Sequence, residues 1–310
     1  MPQRLREVSL IATVYNEADT IDEFLESVVT QSTLPSEFVI VDAGSTDQTV
    51  NILRRYSAKY SWIKVYVIPG ADIGRGRNEA IRKSRGSVIA VTDAGCVLDS
   101  RWLEYITKPI LAGDADVVVG AYEPLARNDF EYFQGVVVVV PRNKIFDRPS
   151  RWSSRSIAFR REVWERIGGY PEFRTGEDTL FNLKILESGF KVTFEPKAVV
   201  YWRMRPSWGA YFKQFYRYGY GDAMVGNLWK MKKNLLMVIG FWAYVTTFLV
   251  SIFTFPMLML VLLTPVIIYA ILSGYRVYRR TGRIKGFIYG AALQFIKRIA
   301  YVLGATRGLL

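Results

Sequence analysis

The chain has 310 residues, of which 50% are hydrophobic and 15% aromatic, and this composition excludes global disorder. It has no histidine and a single cysteine, Cys96, which excludes histidine acid/base or nucleophile chemistry, histidine-ligated zinc, an internal disulfide and a cysteine-rich metal cluster. The net charge of +13 is unevenly placed: residues 1–200 sum to −1, and residues 201–310, with Asp222 as their one acid, sum to +14.

Met1 to Glu7 is polar and the first apolar run is short, so no secretory leader is expected and residues 1–200 are expected in the cytoplasm. Val8–Val14 predicts a strand, and Asn16–Gln31, with Ile21, Phe24, Leu25 and Val28 at helical spacing, predicts a helix. Phe38–Val41 reads as the second strand. A helix from about Asp47 to Tyr60 follows, with Ser45, Thr46 and Asp47 as candidate caps. Ile63–Ile68 is the third strand, and Asn78–Ser84 lies in the third helix. Val88–Thr92 is the fourth strand, Arg101–Leu111 a helix capped by Asp99 or Ser100, and Val117–Gly120 the fifth strand. Alternation at this spacing predicts an α/β fold, a mostly parallel sheet covered by helices on both faces.

Sheets of this kind bind ligands beyond the carboxyl ends of their strands. Three of those ends carry acids: Thr13-Val14-Tyr15-Asn16-Glu17, then Asp42-Ala43-Gly44-Ser45-Thr46-Asp47, then Asp93-Ala94-Gly95-Cys96. Taken singly, Glu17, Asp42 and Asp93 read as caps or turn residues. At successive strand ends they form a candidate site, and carboxylates alone suit Mg2+ or Mn2+ holding a diphosphate. In the basic run from Arg75 to Arg85, Arg77 is the candidate phosphate contact. Neither a Gly-rich dinucleotide loop nor a Gly-Lys-Ser/Thr phosphate loop stands at the first strand–helix turn, which argues against dehydrogenases and P-loop NTPases.

Nine aromatic residues between Tyr201 and Tyr220 suggest a belt at headgroup level. Asn234 to Tyr275 is a run of 42 uncharged residues, room for two crossings of about 20 residues each. The break is expected near Thr254, Phe255 and Pro256. Lys230, Lys232 and Lys233 before the run, and Arg276, Arg279, Arg280, Arg283 and Lys285 after it, put both ends of the hairpin on the cytoplasmic side. Residues 286–304, with Gln294, Lys297, Arg298 and Tyr301 along one face, read as a helix lying in the interface. A third span would place Lys297 and Arg298 near its centre. Nucleic acid is not the expected partner, because the basic residues flank a membrane run.

These segments, in this order, resemble an inverting glycosyltransferase of family 2 with the GT-A fold. Thr13-Val14-Tyr15-Asn16-Glu17 resembles the opening Pro-x-Tyr-Asn-Glu segment, and Val41 to Asp47 resembles Val-Asp-Asp-Gly-Ser-x-Asp. Gly76-Arg77-Asn78-Glu79-Ala80 resembles Ala-Arg-Asn-x-Gly, and Asp93-Ala94-Gly95 stands at the Asp-x-Asp metal motif. Thr175-Gly176-Glu177-Asp178 resembles the Glu-Asp motif, and Gln214 to Tyr218 resembles the Gln-x-x-Arg-Trp motif of membrane-bound members. The chain departs from the pattern in several places. Thr13 replaces Pro, Ala43 a frequent Asp, Gly95 the second metal-motif Asp, and Tyr218 a Trp. Trp202 lies where many relatives place a metal-binding His.

The resemblance implies Asp178 as catalytic base, Thr13, Tyr15, Glu17, Asp42, Arg77 and Asp93 at the donor, and Asp93 as the ligand of Mg2+ or Mn2+. It implies Gln214 and Arg217, three apart on one helix, as a clamp for an acceptor or phosphate at the bilayer. The expected organisation is a GT-A domain over 1–226, a transmembrane hairpin over 227–275, and a basic loop with an interfacial helix over 276–310. The expected function is transfer of a sugar from a UDP- or GDP-linked donor to a lipid-linked acceptor, a polyprenyl phosphate or lipid-linked glycan, on the cytoplasmic side of the cell membrane. A processive polysaccharide synthase, or an inactive membrane scaffold, are the competing readings.

Overall fold

Period-2 and β-branched runs in the first two thirds of the chain give one eight-stranded sheet in the computed structural model, which describes residues 3–148, 151–172, 175–224, 226–230 and 232–310. The strands are β1 (Gln3–Val14), β2 (Thr33–Asp42), β3 (Ile63–Val67), β4 (Val88–Val91), β5 (Cys96–Leu98), β6 (Val117–Leu125), β7 (Ile157–Arg160) and β8 (Val192–Arg203). Their order is β3-β2-β1-β4-β7-β6-β8-β5. The half built from β3, β2, β1 and β4 is parallel, whereas β7 runs antiparallel to both β4 and β6, and β5 antiparallel to β8. The expected doubly covered parallel sheet therefore holds for the first half, and the second half is mixed.

Helices α1 (Ile21–Val29), α2 (Thr49–Lys59), α3 (Ile73–Lys83), α4 (Trp102–Leu111), α6 (Arg161–Arg166) and α7 (Glu177–Glu187) accompany the sheet. One face is sealed by Ile11, Val39, Ile89 and Phe159 against Ala80 and Ile81 of α3, Val163 of α6, and Phe181 and Ile185 of α7. Phe181 is fully buried and stacks on Tyr170 with ring centroids 3.8 Å apart. Truncating so large a buried ring costs about 3–5 kcal/mol, so α7 is anchored firmly beside the strand ends.

Two local expectations shift. The first helix starts at Ile21 and not at Asn16, because Asn16 takes a left-handed conformation (φ 53°) and the chain crosses to the β2 loop before it coils. The second has Gln48 at its cap position, and Asp47 just before it accepts from Thr49 N–H through Oδ1 at 2.9 Å. Gly176, at φ 87°, stands at the cap position of the helix that bears Asp178 in its first turn. The left-handed angle explains why a glycine stands there.

Contacts divide the chain into two compact units, one of residues 1–124 and 139–203 and the other of residues 125–138 and 204–310. This differs from a boundary at 226. The second unit holds α5 (Asp129–Val138), α8 (Trp208–Met224), α9 (Asn227–Lys230), α10 (Lys232–Thr254), α11 (Pro256–Thr281) and α12 (Lys285–Leu309). Its centre is built from Phe133, Tyr211, Phe215, Val277, Leu293 and Ala300. Two close approaches draw α8 into it: a Cβ on Gly219 would fall 2.0 Å from the Tyr301 carbonyl oxygen, and one on Gly304 would fall 1.9 Å from that of Tyr216. Backbone contact of this kind needs glycine, and hydropathy does not report it.

Among the described residues two helices are long and apolar enough to cross a membrane, Lys232–Thr254 and Leu260–Thr281, and the chain breaks at Phe255 as its sequence predicts. A soluble core hairpin would be buried, but these helices are largely exposed, with Phe253 88% accessible. α12 buries Gly286, Gly290, Leu293, Ala300 and Val302 among its neighbours, so much of its apolar face is taken by protein.

Candidate active site

The loops after β1 and β2 are laced together by side chains that cap backbone groups. Asn16 N–H donates to Ser45 Oγ at 2.8 Å, and Thr46 N–H donates to Asn16 Oδ1 at 2.8 Å. Glu17 N–H donates to Thr49 Oγ1 at 2.9 Å, and Ala18 N–H to Asp47 Oδ2 at 3.1 Å. Hydrogen bonds to Thr49 and Ala18 hold the Asp47 carboxyl below its usual range. Tyr15 is left 55% exposed on this rim, a large ring presented to solvent beside a strand end.

Asp42 is fully buried, and its carboxylate serves its own loop. Oδ1 accepts from Gly44 N–H at 2.9 Å and Ser45 N–H at 2.8 Å, and Oδ2 accepts from Ser45 Oγ at 2.6 Å. Gly44 turns at φ 92° to allow this. Asp42 thus shapes the turn. The Glu17 carboxylate accepts from Thr20 Oγ1 at 2.8 Å. Thr13 packs on α3, where a Cβ on Gly76 would come within 2.7 Å of its Cγ2. Gly74 lies against Pro171, whose carbonyl oxygen would be 2.0 Å from an added Cβ. Gly74 and Gly76 are close-packing sites at the start of α3.

Arg77 projects from α3 into the interior. Its side chain is 3% exposed, Nη2 donates to Asp93 Oδ1 at 2.8 Å, and Nη1 donates to Glu177 Oε1 at 2.7 Å. Its guanidinium also lies over the Tyr170 ring, 5.2 Å from the centroid. One buried cation therefore ties the turn after β4 to the first turn of α7. Arg77, expected as a phosphate contact at the donor, has both terminal nitrogens on carboxylates here. The next residue, Asn78, fixes the 164–170 segment: Oδ1 accepts from Trp164 Nε1 at 2.9 Å and Tyr170 N–H at 2.9 Å, and Nδ2 donates to the Tyr170 carbonyl at 2.8 Å.

Asp178 is half-buried in the same turn as Glu177, and its Oδ1 accepts from Thr179 N–H at 2.8 Å. Burial and the neighbouring Asp178 charge push the Glu177 carboxyl up to about 7, against the pull of Arg77. Asp93 and Glu177 thus share the Arg77 guanidinium, with Asp178 close beside them.

Arg155 is the residue that sequence reasoning missed. Its Nε lies 3.7 Å from Asp93 Oδ2, its guanidinium lies 4.0 Å from the Trp202 ring centroid, and Nη1 donates to Ser153 Oγ at 2.8 Å. It sits in an aperiodic stretch without a motif. The one available signal was a cation just before a strand on the site side of the sheet.

Among the described residues no group of three His, Cys, Asp or Glu side chains is placed to hold a metal ion. Asp93, 28% exposed, is the carboxylate that the turn offers. Hard cations such as Mg2+ accept one carboxylate and complete their shells from phosphate and water. The donor set therefore fits such an ion in its sparsest form. A side chain at Gly95 would meet open space, so the missing second acid is not a steric requirement.

Gln214 and Arg217 belong to the second unit and do not share a face. Gln214 is buried, with Oε1 accepting from Arg205 Nε at 3.1 Å and Nε2 donating to Tyr218 Oη at 3.0 Å, while Arg217 is exposed. Three residues turn a helix by about 300°, enough for the pair to straddle the edge of the buried face.

The structure thus joins a partly parallel α/β sheet with acids at three strand ends to a helix bearing paired carboxylates. Residues 9–189 match the model of Glycosyl transferase family 2, and residues 114–277 that of Glycosyl transferase family group 2. The chain belongs to glycosyl transferase family 2, and it is a glycosyltransferase.

Glycosyltransferase AglE of Haloferax volcanii is 27% identical over 255 residues, 79% of this chain and 82% of AglE. Probable glycosyltransferase YdaM of Bacillus subtilis is 24% identical over 270 residues, 80% of this chain and 64% of YdaM. Among solved structures, the mannosyltransferase PcManGT from Pyrobaculum calidifontis, in complex with GDP-Man and Mn2+, aligns over 94% of this chain and 87% of its own. The TM-score is 0.61 at 18% identity, a likeness of fold, and that fold is GT-A.

Proposed function

We propose that this chain is a membrane-bound inverting glycosyltransferase that moves a sugar from a UDP- or GDP-linked donor to a lipid-linked acceptor, a polyprenyl phosphate or lipid-linked glycan, at the cytoplasmic face. The observation that carries the reading is the convergence of Asp93, Arg77, Glu177 and Asp178 across 100 residues of sequence. Two exposed apolar helices support a membrane setting, and with it an acceptor held at the bilayer.

In this reading the nucleoside rests on the rim formed by Tyr15, Glu17 and the 43–46 turn. The diphosphate lies toward Asp93. A divalent ion, Mg2+ or Mn2+, held by Asp93 would supply Lewis-acid stabilisation of the leaving diphosphate. Asp178 accepts the proton of the acceptor hydroxyl as that oxygen attacks the anomeric carbon, and one displacement inverts the carbon. Arg77 and Glu177 are positioning residues: they fix the first turn of α7, so that the Asp178 carboxylate enters the cleft at a set height. A general base contributes about 100- to 10,000-fold to such a step.

The test is a screen of UDP- and GDP-sugars with Mg2+ or Mn2+ and a membrane lipid extract, using detergent-purified protein. One donor should give lipid-dependent nucleotide release, reduced at least about 100-fold in Asp178→Asn with donor affinity retained. Loss of donor binding in that variant would refute the base assignment. Release at the same rate without lipid would refute the acceptor.

A further inference from the structure

We propose that Arg205 and Lys297 form a binding site for the phosphate group of a membrane lipid. The inference rests on the membrane-bound reading above and concerns two residues outside the segments that carry the family resemblance.

The second unit is poor in acids. Its stretches of sequence hold Asp129, Glu131 and Asp222 and no other. Asp129 pairs with Lys285 and Arg283, Glu131 accepts from Arg127 N–H and Asn128 Nδ2, and Asp222 accepts from Tyr301 Oη. Among the described residues neither Arg205 nor Lys297 is paired with an acid.

Two buried glutamines hold Arg205 in place. Gln134 of α5 clasps its backbone: Oε1 accepts from Arg205 N–H at 2.7 Å, and Nε2 donates to the Arg205 carbonyl at 3.0 Å. Gln214 of α8 accepts from Arg205 Nε at 3.1 Å. The half-buried guanidinium is thus oriented through Nε, and its terminal nitrogens make no hydrogen bond among the described residues. That end of the planar fork matches phosphate oxygens.

Lys297 stands on α12 at the end of the same chain of contacts. Gln214 Nε2 donates to Tyr218 Oη at 3.0 Å, the Tyr218 ring meets the Phe215 ring edge-on at 5.5 Å, and Lys297 Nζ lies 5.1 Å from the Phe215 centroid. One turn of α8 therefore links the two cations. Burial, with Arg298 next in sequence, pushes the half-buried Lys297 ammonium down to about 8. A cation kept in such a place without an acid is destabilising, and an anion arriving from outside the chain offsets that.

The setting selects the anion. Phe215 belongs to the same packed cluster as Val277 of α11, and a Cβ on Gly290 of α12 would fall 2.7 Å from the Val277 Cβ. The cations thus belong to a unit whose α10 and α11 are apolar and largely exposed. Beside membrane helices the anions at hand are lipid head groups, and basic pockets there take their phosphates.

The experiment titrates the full chain in non-ionic detergent with a polyprenyl phosphate, with phosphatidylglycerol and with inorganic phosphate. The matching polyprenol is the phosphate-free control. Native mass spectrometry reads the lipid-bound fraction, and calorimetry reads inorganic phosphate. At least one of the two lipid phosphates should bind more tightly than the polyprenol. Arg205→Gln and Lys297→Met should each weaken it about 10- to 100-fold, the scale of a lost charge-assisted contact, with polyprenol affinity unchanged. Arg205→Lys should recover part of the loss. In lipid-free detergent Lys297→Met should melt at or above the wild-type temperature, because it keeps the volume and removes an unpaired charge.

Preference for the polyprenyl phosphate would identify the site with the acceptor, and preference for phosphatidylglycerol with a bilayer lipid; either supports the proposal. Lipid binding indifferent to both variants would overturn it. Equal loss of the polyprenol would also overturn it, since that marks a structural role, and so would a response confined to inorganic phosphate. A lower melting temperature for lipid-free Lys297→Met would remove Lys297 from the site. These outcomes leave the glycosyltransferase reading standing. A chain that stays monodisperse without detergent would instead overturn the membrane reading on which the site rests.

Discussion

Replacing Arg77 by methionine keeps most of the side-chain volume and removes the charge. In the native structure that charge is shared by Glu177, 6% exposed, and Asp93, 28% exposed, at 2.7 and 2.8 Å. Its loss leaves buried acid uncompensated, with Asp178 beside it, and breaking a buried pair in this way costs about 3–5 kcal/mol. For a unit of this size that is a fall in melting temperature of roughly 6–20 °C. The sign of the pH dependence follows from linkage. Without the guanidinium, the native carboxyls hold protons that the unfolded chain gives up above the usual carboxylate pKa, so the deficit grows as pH rises. Thermal unfolding of the detergent-purified chain at pH 5 and pH 8, read by intrinsic tryptophan fluorescence, checks both points. Arg77→Lys, a point charge without a fork, should recover only part of the loss. A shift under about 2 °C, or one equal at the two pH values, would refute the account of Arg77 as an electrostatic brace.

Glu177→Gln removes a group whose folded pKa, about 7, lies above its unfolded value of 4.5. The native state keeps that proton between these values while the unfolded chain has lost it. The group's contribution is therefore complete below 4.5 and lost as pH rises to about 7, by at most about 3 kcal/mol. The variant should flatten this slope in denaturant titrations, and an unchanged slope would contradict the assignment. Asn78→Ala leaves Trp164 Nε1 and both backbone groups of Tyr170 without their partner and should cost about 1–3 kcal/mol for each group left unsatisfied. Chemical denaturation of the variant measures that loss, and wild-type stability would rule it out. Gly304→Ala places a carbon against the Tyr216 carbonyl and should destabilise by about 1–3 kcal/mol through overpacking. A melting temperature equal to wild type would show that α8 and α12 are looser than their backbones suggest.

The parallel half of the sheet was legible because each of its strands is a continuous apolar run that ends at a turn signal. The acids at those ends followed from topology. Side-chain duty did not. Asp42 and Asp93 look alike in sequence, yet one is spent on its own turn and the other meets two arginines, a difference made by loop geometry and by residues 77 and 155. The allegiance of α8 to the C-terminal helices was hidden because it rests on glycine contacts. Three-residue spacing sets only an approximate face, and burial separates Gln214 from the exposed Arg217.

The second unit has a consequence for biogenesis. Its helix α5 is encoded inside the first unit's sequence, with Gln134 bonded to Arg205, 71 residues on, and Asp129 paired with Lys285, 156 residues on. At about 5–20 residues per second, a ribosome needs roughly 8–30 s to supply that last partner. Through that interval Phe130 and Phe133 have left the exit tunnel without the α12 residue Tyr289, against which both rings pack in the finished chain. Synthesis halted anywhere before α12 should therefore yield a nascent chain that chaperones capture at α5, and completion of translation is the event that closes this half of the molecule.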